Sequence, residues 1–376
     1  MAPWNARFTR FLAKRDARVQ RWALVALILV AALLPGPSSA ALSGPTRQMF
    51  TANPEIGVHT RLTDEVEEWK IANTLQMARS MGASWIVEYF PWAYGEPTPG
   101  FPNWAHSDMV VKYAVAQGLN LIARIDMVPG WARPPDSPTQ YLEPSRYQDY
   151  ANFVATFAAR YKGRIRYYII WNEPNTSYEW GYRSPNPAEY ATLLQTVYPR
   201  LKAVDPKAQV VAAGLAPTLE RSQWAMSDLD FLQGMYDAGA APYFDVMAVH
   251  AYGGKLPPDD PPAPDRLNYA RVVVLRQLME ENGDAEKPMI VTEAGWNDHP
   301  RWTRGVRPAQ RVDYTVRAYE KAKQEWPWVL AVNMWVFRLP RPAHNYNDYF
   351  SFVGTDFRPK AIYDAVREYA RPQGFS

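Results

Sequence analysis

The sequence has no cysteine and only five histidines among its 376 residues. The absence of cysteine excludes disulfide bonds, and it is compatible with export without requiring it. The histidines are scattered, without the close spacing that is typical of a metal site. They are His59, His106, His250, His299 and His344. We therefore predict no metal site and no cofactor.

An apolar run long enough to span a bilayer is also lacking at the N-terminus. The run "WALVALILVAALL", Trp22 to Leu34, has 13 residues, whereas a membrane-spanning helix needs about 20. It follows a basic segment and precedes the small-residue stretch "SSAALSG", an order typical of a secretory signal. Cleavage after Ala40 would place Ser38 and Ala40 at the small positions of the cleavage pattern.

An uncleaved segment would instead attach the protein to a membrane through residues 22–34. We predict a signal peptide or signal anchor over residues 1–40 and a linker over 41–53. Either reading predicts an extracytoplasmic protein, secreted or held at the cell surface.

The excess of basic residues is confined to this leader. Six Lys or Arg residues and one Asp give residues 1–40 a net charge of +5, which leaves −2 on the rest of a chain whose total is +3. The basic character of the whole chain therefore does not indicate a nucleic-acid-binding surface.

Beyond about residue 54, short apolar segments alternate with amphipathic ones. Eight of the apolar segments are continuous runs, which favours strands buried on both faces of a parallel sheet. They cover 56–59, 85–90, 121–127, 165–171, 210–215, 246–252, 289–294 and 331–337.

The segments between them carry helix signals. Apolar residues recur at the spacing of one helical face within 150–161 and within 190–201. The segment "NPAE", Asn186 to Glu189, offers an N-cap amide, a proline at the first helical position and a glutamate at the third. We expect a similar start at "DEVE", residues 64–67, and a last helix near 360–370.

Eight strand–helix units predict an α/β fold, a single-domain (β/α)8 TIM barrel over residues 54–372. The Pro/Asp-rich segment 255–265 follows the sixth strand and is too short to be an interdomain linker. We expect it to form an exposed loop beside the barrel mouth.

Two glutamates stand at the ends of predicted strands. Glu173 follows the fourth strand in "IIWNEPN", and Glu293 ends the seventh in "VTEAGW". Because strand C-termini meet at one mouth of such a barrel, the two carboxylates should face each other. A proton-donating acid and an ionised carboxylate are what glycosidic cleavage requires. Pro174 disfavours helical geometry at Glu173, so we expect an extended conformation there.

The motifs "WNEPN", "VHAY" and "VTEAGW" together resemble the clan A retaining glycoside hydrolases, and the likeness covers most of residues 54–340. The overall run is similar to family 39 and to family 5-like, cellulase-type barrels. The resemblance implies that Glu173 is the acid/base and Glu293 the nucleophile of a double displacement.

The resemblance also implies four substrate-binding residues. Asn172 would hold the sugar 2-hydroxyl, and Tyr252 would hydrogen-bond the nucleophile. His250 would line the site, and Trp335 would form a floor beneath the sugar.

Several tryptophans lie in predicted loops at the barrel mouth, where sugar C–H faces could stack on them. The alternative is that they pack the loops onto the barrel. They are Trp92, Trp131, Trp180, Trp296 and Trp302, of which we select Trp131 and Trp296 as substrate-binding residues. Glu88 and Arg124, inside the second and third strands, would either orient the substrate or form pairs within the barrel.

The favoured function is a retaining β-glycoside hydrolase whose partner is a carbohydrate substrate. The alternative is a catalytically silent, cell-surface glycan-binding barrel, which needs the aromatic groove but not both carboxylates. A metal- or phosphate-dependent barrel enzyme has the least support, because no glycine-rich phosphate loop follows the seventh or eighth strand.

Overall fold

The computed structural model describes residues 50–372. The predicted signal or anchor segment and residues 41–49 of the predicted linker lie outside the described residues. Within 50–372, none of the helices is both long enough and apolar enough to cross a membrane.

Eight parallel strands close into a barrel, in which neighbours in the chain pair in order and the first strand pairs with the last. The strands are β1 Ile56–His59, β2 Trp85–Tyr89, β3 Asn120–Ile125, β4 Tyr167–Ile170, β5 Gln209–Leu215, β6 Val246–Tyr252, β7 Met289–Gly295 and β8 Val329–Met334. The (β/α)8 prediction is confirmed, and every predicted strand is present with ends shifted by three residues or fewer.

Nine α-helices lie within residues 50–372. They are α1 Glu68–Met81, α2 Trp92–Gly95, α3 Ala105–Ala116, α4 Tyr147–Arg160, α5 Pro187–Val204, α6 Asp228–Asp237, α7 Arg271–Glu281, α8 Pro308–Glu325 and α9 Ala361–Tyr369. The stripes within 150–161 and 190–201 form the buried faces of α4 and α5. The predicted cap is also confirmed, because the Asn186 side chain accepts hydrogen bonds from the Ala188 and Glu189 amides.

The predicted helix start at 64–67 is wrong by a few residues. A short 3₁₀ turn occupies Leu62–Asp64, and α1 begins at Glu68 without a side-chain cap. The buried Glu88 carboxylate explains the turn, because it accepts hydrogen bonds from the Leu62 amide (2.9 Å) and the Thr63 amide (3.1 Å). A contact with β2, distant in sequence, therefore determines the local structure.

The hydrophobic core has two layers. Aliphatic and aromatic side chains pack between the strands and the helices. A separate, purely aliphatic cluster fills the barrel interior, and its members are Val87, Ile122, Ile169, Val211, Val246, Ala248, Ile290 and Ala331. A filled interior leaves the mouth at the strand C-termini as the place where polar side chains gather.

A buried ion pair anchors the loop that follows β6. Arg271 donates two hydrogen bonds to Asp228, from Nε to Oδ2 at 2.6 Å and from Nη2 to Oδ1 at 2.5 Å. Both side chains are fully buried. Arg271 also donates to the carbonyls of Pro264 and Arg266, both at 3.0 Å. The pair thus connects α6, α7 and the end of the Pro/Asp-rich loop.

We expect Arg271→Met to lower the free energy of unfolding by about 3–5 kcal/mol, because Asp228 would stay buried without its partner. Urea unfolding followed by circular dichroism measures the change. The double variant Arg271→Met/Asp228→Leu removes both charges and should recover much of the loss. A single variant as stable as the wild type would contradict this account.

Candidate active site

A cavity of about 860 Å³ opens at the C-terminal mouth of the barrel, within the usual range of ligand pockets. Its lining includes both predicted catalytic glutamates, Asn172, Tyr252 and Trp335. The structure therefore brings these five residues together around one cavity.

Glu293 lies near the end of β7 and is 8% exposed. The Tyr252 hydroxyl donates to its Oε2 at 2.8 Å, and Arg124 Nη1 donates to its Oε1 at 3.0 Å. Burial alone would raise the pKa of Glu293, but the charges of His250 and Arg124 and the Tyr252 hydrogen bond outweigh it and lower this pKa to about 2. The carboxylate is thus held ionised.

Glu173 faces Glu293 from the loop after β4. His250 Nδ1 donates to its Oε1 at 2.7 Å, and the Glu173 side chain remains 23% exposed. One carboxylate oxygen of Glu173, one of Glu293 and the His250 nitrogen all lie within 4.8 Å of one another. The more exposed carboxyl group therefore stands directly beside the more buried one.

The expectation of an extended conformation at Glu173 is wrong. Its φ is +40°, and φ of Trp171 is +75°. Both values lie in a region of backbone conformation that residues other than glycine rarely adopt. The Glu173 amide donates to the Gly214 carbonyl at 3.1 Å, and its carbonyl accepts from the Thr176 amide at 2.9 Å. These contacts outweigh the local preference imposed by Pro174, and such backbone strain concentrates at functional sites.

Gly214 on β5 makes room for the His250 ring. A Cβ atom placed on Gly214 would lie 2.4 Å from His250 Cδ2, 2.5 Å from Nε2 and 3.0 Å from Thr292 Oγ1. Because the Gly214 carbonyl also accepts from the Glu173 amide, one glycine positions both partners of the Glu173–His250 hydrogen bond.

Arg124 stands at the centre of the polar network. Besides Glu293, it donates to Asn172 Oδ1 at 3.2 Å, and its Nε lies 3.4 Å from Asp126 Oδ2. Its guanidinium stacks over the Tyr89 ring at 4.7 Å. The structure thus places Arg124 in the site, whereas Glu88 supports the loop after β1.

His59, at the end of β1, lies beneath the site. Its Nδ1 donates to the Thr60 carbonyl at 2.8 Å, and its Nε2 lies 3.8 Å from Glu293 Oε1. Complete burial is the main cause that lowers the pKa of His59 to about 3, so the ring is neutral. The ring packs edge-on against Trp335, with centroids 4.7 Å apart, and so supports that wall of the cavity.

No protein-family model matches the sequence, and no curated protein matches it significantly. Solved structures do match. A family 39 glycoside hydrolase from Bacteroides cellulosilyticus WH2 shares 22% identity at a TM-score of 0.69, over 85% of this chain and 64% of that one. The exo-β-1,4-mannosidase Op5Man5 from Opitutaceae bacterium strain TAV5 shares 16% identity at 0.58, over 87% and 62%.

A GH5_18 variant from Bifidobacterium longum subsp. longum, in complex with Manβ1-4GlcNAc, shares 13% identity at a TM-score of 0.62, over 84% of this chain and 77% of that one. The chain therefore shares its (β/α)8 barrel fold with these glycoside hydrolase structures. This chain spans less than two thirds of the length of the family 39 and Op5Man5 chains.

Some of the tryptophans at the barrel mouth line the cavity, and others pack the loops onto the barrel. Trp302 lines the cavity. Trp296 borders it, but the ring is 2% exposed and its Nε1 donates to the Leu256 carbonyl at 2.8 Å. Trp92 and Trp180 are buried in the core. Most of these rings therefore hold the loops in place.

Trp131 is not among the described residues that line the cavity. Its Nε1 donates to the Glu96 carbonyl at 2.9 Å, and its ring packs edge-on against Trp92, with centroids 5.3 Å apart. This placement supports loop packing rather than the predicted substrate contact.

Two further polar residues of the β4 loop were not predicted. Glu179 lines the cavity, where burial first, and then the charges of Asp126 and Glu173, raise its pKa to about 8. Asn175 is fully buried; its Oδ1 accepts from the Ala216 amide at 2.8 Å, and its Nδ2 donates to the Met226 carbonyl at 3.0 Å. No sequence pattern marks Glu179, and the motif "WNEPN", which contains Asn175, did not by itself predict this structural role.

Proposed function

We propose that this protein is a retaining β-glycoside hydrolase that cleaves O-glycosidic bonds in oligo- or polysaccharides. The observation that carries the proposal is the approach of Glu173 and Glu293 oxygens to within 4.8 Å across the barrel mouth. Retaining enzymes separate their carboxyl groups by about 5–5.5 Å, whereas inverting enzymes need about 6.5–9.5 Å to admit a water molecule. The geometry favours the retaining class.

In the first step, the ionised Glu293 carboxylate attacks the anomeric carbon while the bond to the leaving oxygen breaks. Glu173 donates a proton to that oxygen, and a covalent glycosyl–Glu293 ester forms. In the second step, Glu173 takes a proton from water, whose oxygen attacks the anomeric carbon and releases Glu293. Arg124 and Tyr252, which contact Glu293, favour its ionised form as the leaving group.

The structural neighbours support the coarser part of the proposal, a glycoside hydrolase. They include a family 39 glycoside hydrolase, a β-1,4-mannosidase and a GH5_18 variant holding Manβ1-4GlcNAc. We propose further that the protein acts outside the cytoplasm, delivered or held there by residues 1–40. Detection of the protein only in the cytoplasmic fraction of its host would contradict that localisation.

The test is a screen of aryl β-glycosides and of plant, fungal and bacterial polysaccharides, followed by ¹H NMR of the first product formed. We expect a β-configured product from a β-linked substrate before mutarotation. An α-configured first product would overturn the retaining assignment, and the absence of any hydrolysis would favour the silent glycan-binding alternative.

A metal centre is a competing reading of Glu173, His250 and Glu293, because their ligand atoms are close enough to share an ion. The Arg124 guanidinium, 3.0 Å from Glu293, would repel a divalent cation there. We expect hydrolysis to survive dialysis against EDTA. A loss of activity that a divalent metal restores would contradict the two-glutamate mechanism.

We expect Gly214→Ala to lower kcat/KM by about 10²-fold, because the added methyl group displaces His250 and a shift of about 1 Å at the reacting groups costs that much. The measurement is the rate on an aryl glycoside that the wild type hydrolyses, with circular dichroism to verify folding. Gly130→Ala is the matched control, since a Cβ there meets no atom within 4 Å. Equal losses in both variants would argue against the positioning role.

We expect His250→Asn to move the acidic limb of the pH profile of kcat/KM to higher pH. The neighbouring carboxylates raise the pKa of His250 despite its burial, which favours the cationic form of the ring. Removing that charge leaves only Arg124 and Tyr252 to oppose burial, so the pKa of Glu293 rises, and Glu293 must be ionised to attack. His106→Asn, outside the cavity, should leave the profile unchanged; an unmoved limb in His250→Asn would contradict the assignment.

A further inference from the structure

A second cavity of about 780 Å³ adjoins the catalytic one. Trp302 and Lys255 line both cavities, so the two share a wall. The remaining walls of the second cavity come from the segment after β7, the start of α8, and Tyr349. Its volume is again within the range of about 300–1,000 Å³ typical of ligand sites.

Cations without carboxylate partners surround the shared wall. Lys255 lines both cavities, Arg304 lines the catalytic one and Arg307 lines the second. Within residues 50–372, none of these three side chains has a carboxylate oxygen within ion-pair distance. Asp298, the one carboxylate among the described residues that line the second cavity, lies 3.5 Å from Arg311. Because the chain beyond residue 40 has a net charge of −2, this local excess of positive charge is not a general property of the surface.

An aromatic surface joins the two cavities. The Trp302 and Tyr346 rings stack nearly parallel, with centroids 5.0 Å apart and 8° between their planes. Both line the catalytic cavity, and Trp302 continues into the second, where Tyr349 also lies. Half-exposed rings of this kind offer apolar faces to the C–H faces of sugars and polar edges to their hydroxyl groups.

We propose that the second cavity is an additional saccharide subsite that receives an acidic sugar unit of the chain cleaved between Glu173 and Glu293. The inference rests on the proposed function and adds a substrate class to it, an anionic oligo- or polysaccharide. The recognised group is an anion on a sugar ring, either a carboxylate or a sulfate ester. Lys255 and Arg307 would bind this anion by charge-assisted hydrogen bonds. The indole ring of Trp302 forms part of the wall that the two cavities share.

The test measures binding separately from hydrolysis. Glu293→Gln, in which cleavage is slowed, is titrated calorimetrically with hexasaccharides of three kinds: neutral (cellohexaose, mannohexaose), carboxylated (hyaluronan, oligoguluronate) and sulfated (κ-carrageenan). We expect at least one acidic probe to bind tenfold or more tightly than both neutral ones, and to lose affinity when NaCl rises from about 0.05 to 0.5 M. The carboxylated and sulfated arms identify the anion.

Charge-neutral substitutions locate the binding. We expect Lys255→Gln/Arg307→Gln to weaken the best acidic probe by about tenfold or more while leaving neutral probes unchanged. Trp302→Ala should weaken every hexasaccharide that binds. Arg301→Gln is the matched control, because Arg301 is exposed nearby but lines neither cavity.

Equal affinities for neutral and acidic probes, salt-independent binding, unchanged affinity in Lys255→Gln/Arg307→Gln, or binding of none of the probes would each overturn the proposal. These failures differ from failure of the proposed function. If Glu293→Gln cleaves the probes as fast as the wild type, the mechanism is wrong whatever the second cavity binds. If Glu293→Gln does not cleave the probes and Lys255→Gln/Arg307→Gln does not change their affinity, only the subsite assignment is wrong.

Discussion

Glu293→Gln is expected to lower kcat/KM by on the order of 10⁴-fold or more, the largest effect of any single substitution in this protein. The amide is nearly the same size as the carboxylate, so the loss reports the missing nucleophile rather than a cavity. Arg124 and Tyr252 would then surround a neutral group, and the negative charge they favour would be gone. The measurement is the initial rate on the best substrate from the screen.

Glu281→Gln, at the exposed end of α7, is the matched control and should be indistinguishable from the wild type. A covalent probe adds a second readout. A 2-deoxy-2-fluoro glycoside with an activated leaving group should label the wild-type protein, and mass spectrometry of its peptides should place the label on Glu293. Activity above a tenth of wild type in Glu293→Gln, or a label on another residue, would contradict the nucleophile assignment.

Glu173→Ala is expected to lower the rate by about 10²–10⁴-fold on substrates with a poor leaving group, which need a proton on the departing oxygen. Activated aryl glycosides need little protonation, so their first step should survive while hydrolysis of the glycosyl–Glu293 ester becomes slow. A burst of released aryl alcohol followed by slow turnover is the expected time course. A loss that does not depend on the leaving group would argue against an acid/base role.

Azide distinguishes the two glutamates by stereochemistry. In Glu173→Ala, azide occupies the space left by the acid/base, attacks the glycosyl–Glu293 ester and should yield a β-glycosyl azide. In Glu293→Ala, azide enters from the face of the missing nucleophile and should yield an α-glycosyl azide from an activated β-substrate. Exchange of these two products between the variants would reverse the assigned roles.

Much of the barrel could be predicted from local patterns. Continuous apolar runs located the eight strands, because strands of a parallel barrel are buried on both faces. The Asn186 cap and the apolar stripes of α4 and α5 could be predicted, because the residues that form the buried face and the first turn of a helix are close together in the sequence. The start of α1 could not, since Glu88, on β2, holds the turn that precedes it.

The conformation of Glu173 shows the same limit inside the site. Pro174 favours an extended residue before it, yet hydrogen bonds with Gly214 and Thr176 accompany a positive φ there. The space for His250 depends on Gly214, which in the sequence looks like any small residue of a strand. Glu179 and Lys255 likewise carry no local signal, because cavity walls arise only when several loops meet.

The amino-acid pattern alone was enough to predict the positions of the eight strands, the helix faces and the two glutamates at strand ends, because periodicity and strand-end position are properties of short segments. The closed barrel was needed to show that Glu173 and Glu293 oxygens lie within 4.8 Å of each other and that Arg124 belongs to the site. It alone showed that most of the tryptophans pack loops and that a cationic cavity adjoins the catalytic one. Those features depend on distances between residues far apart in the chain, which only the closed barrel brings into contact.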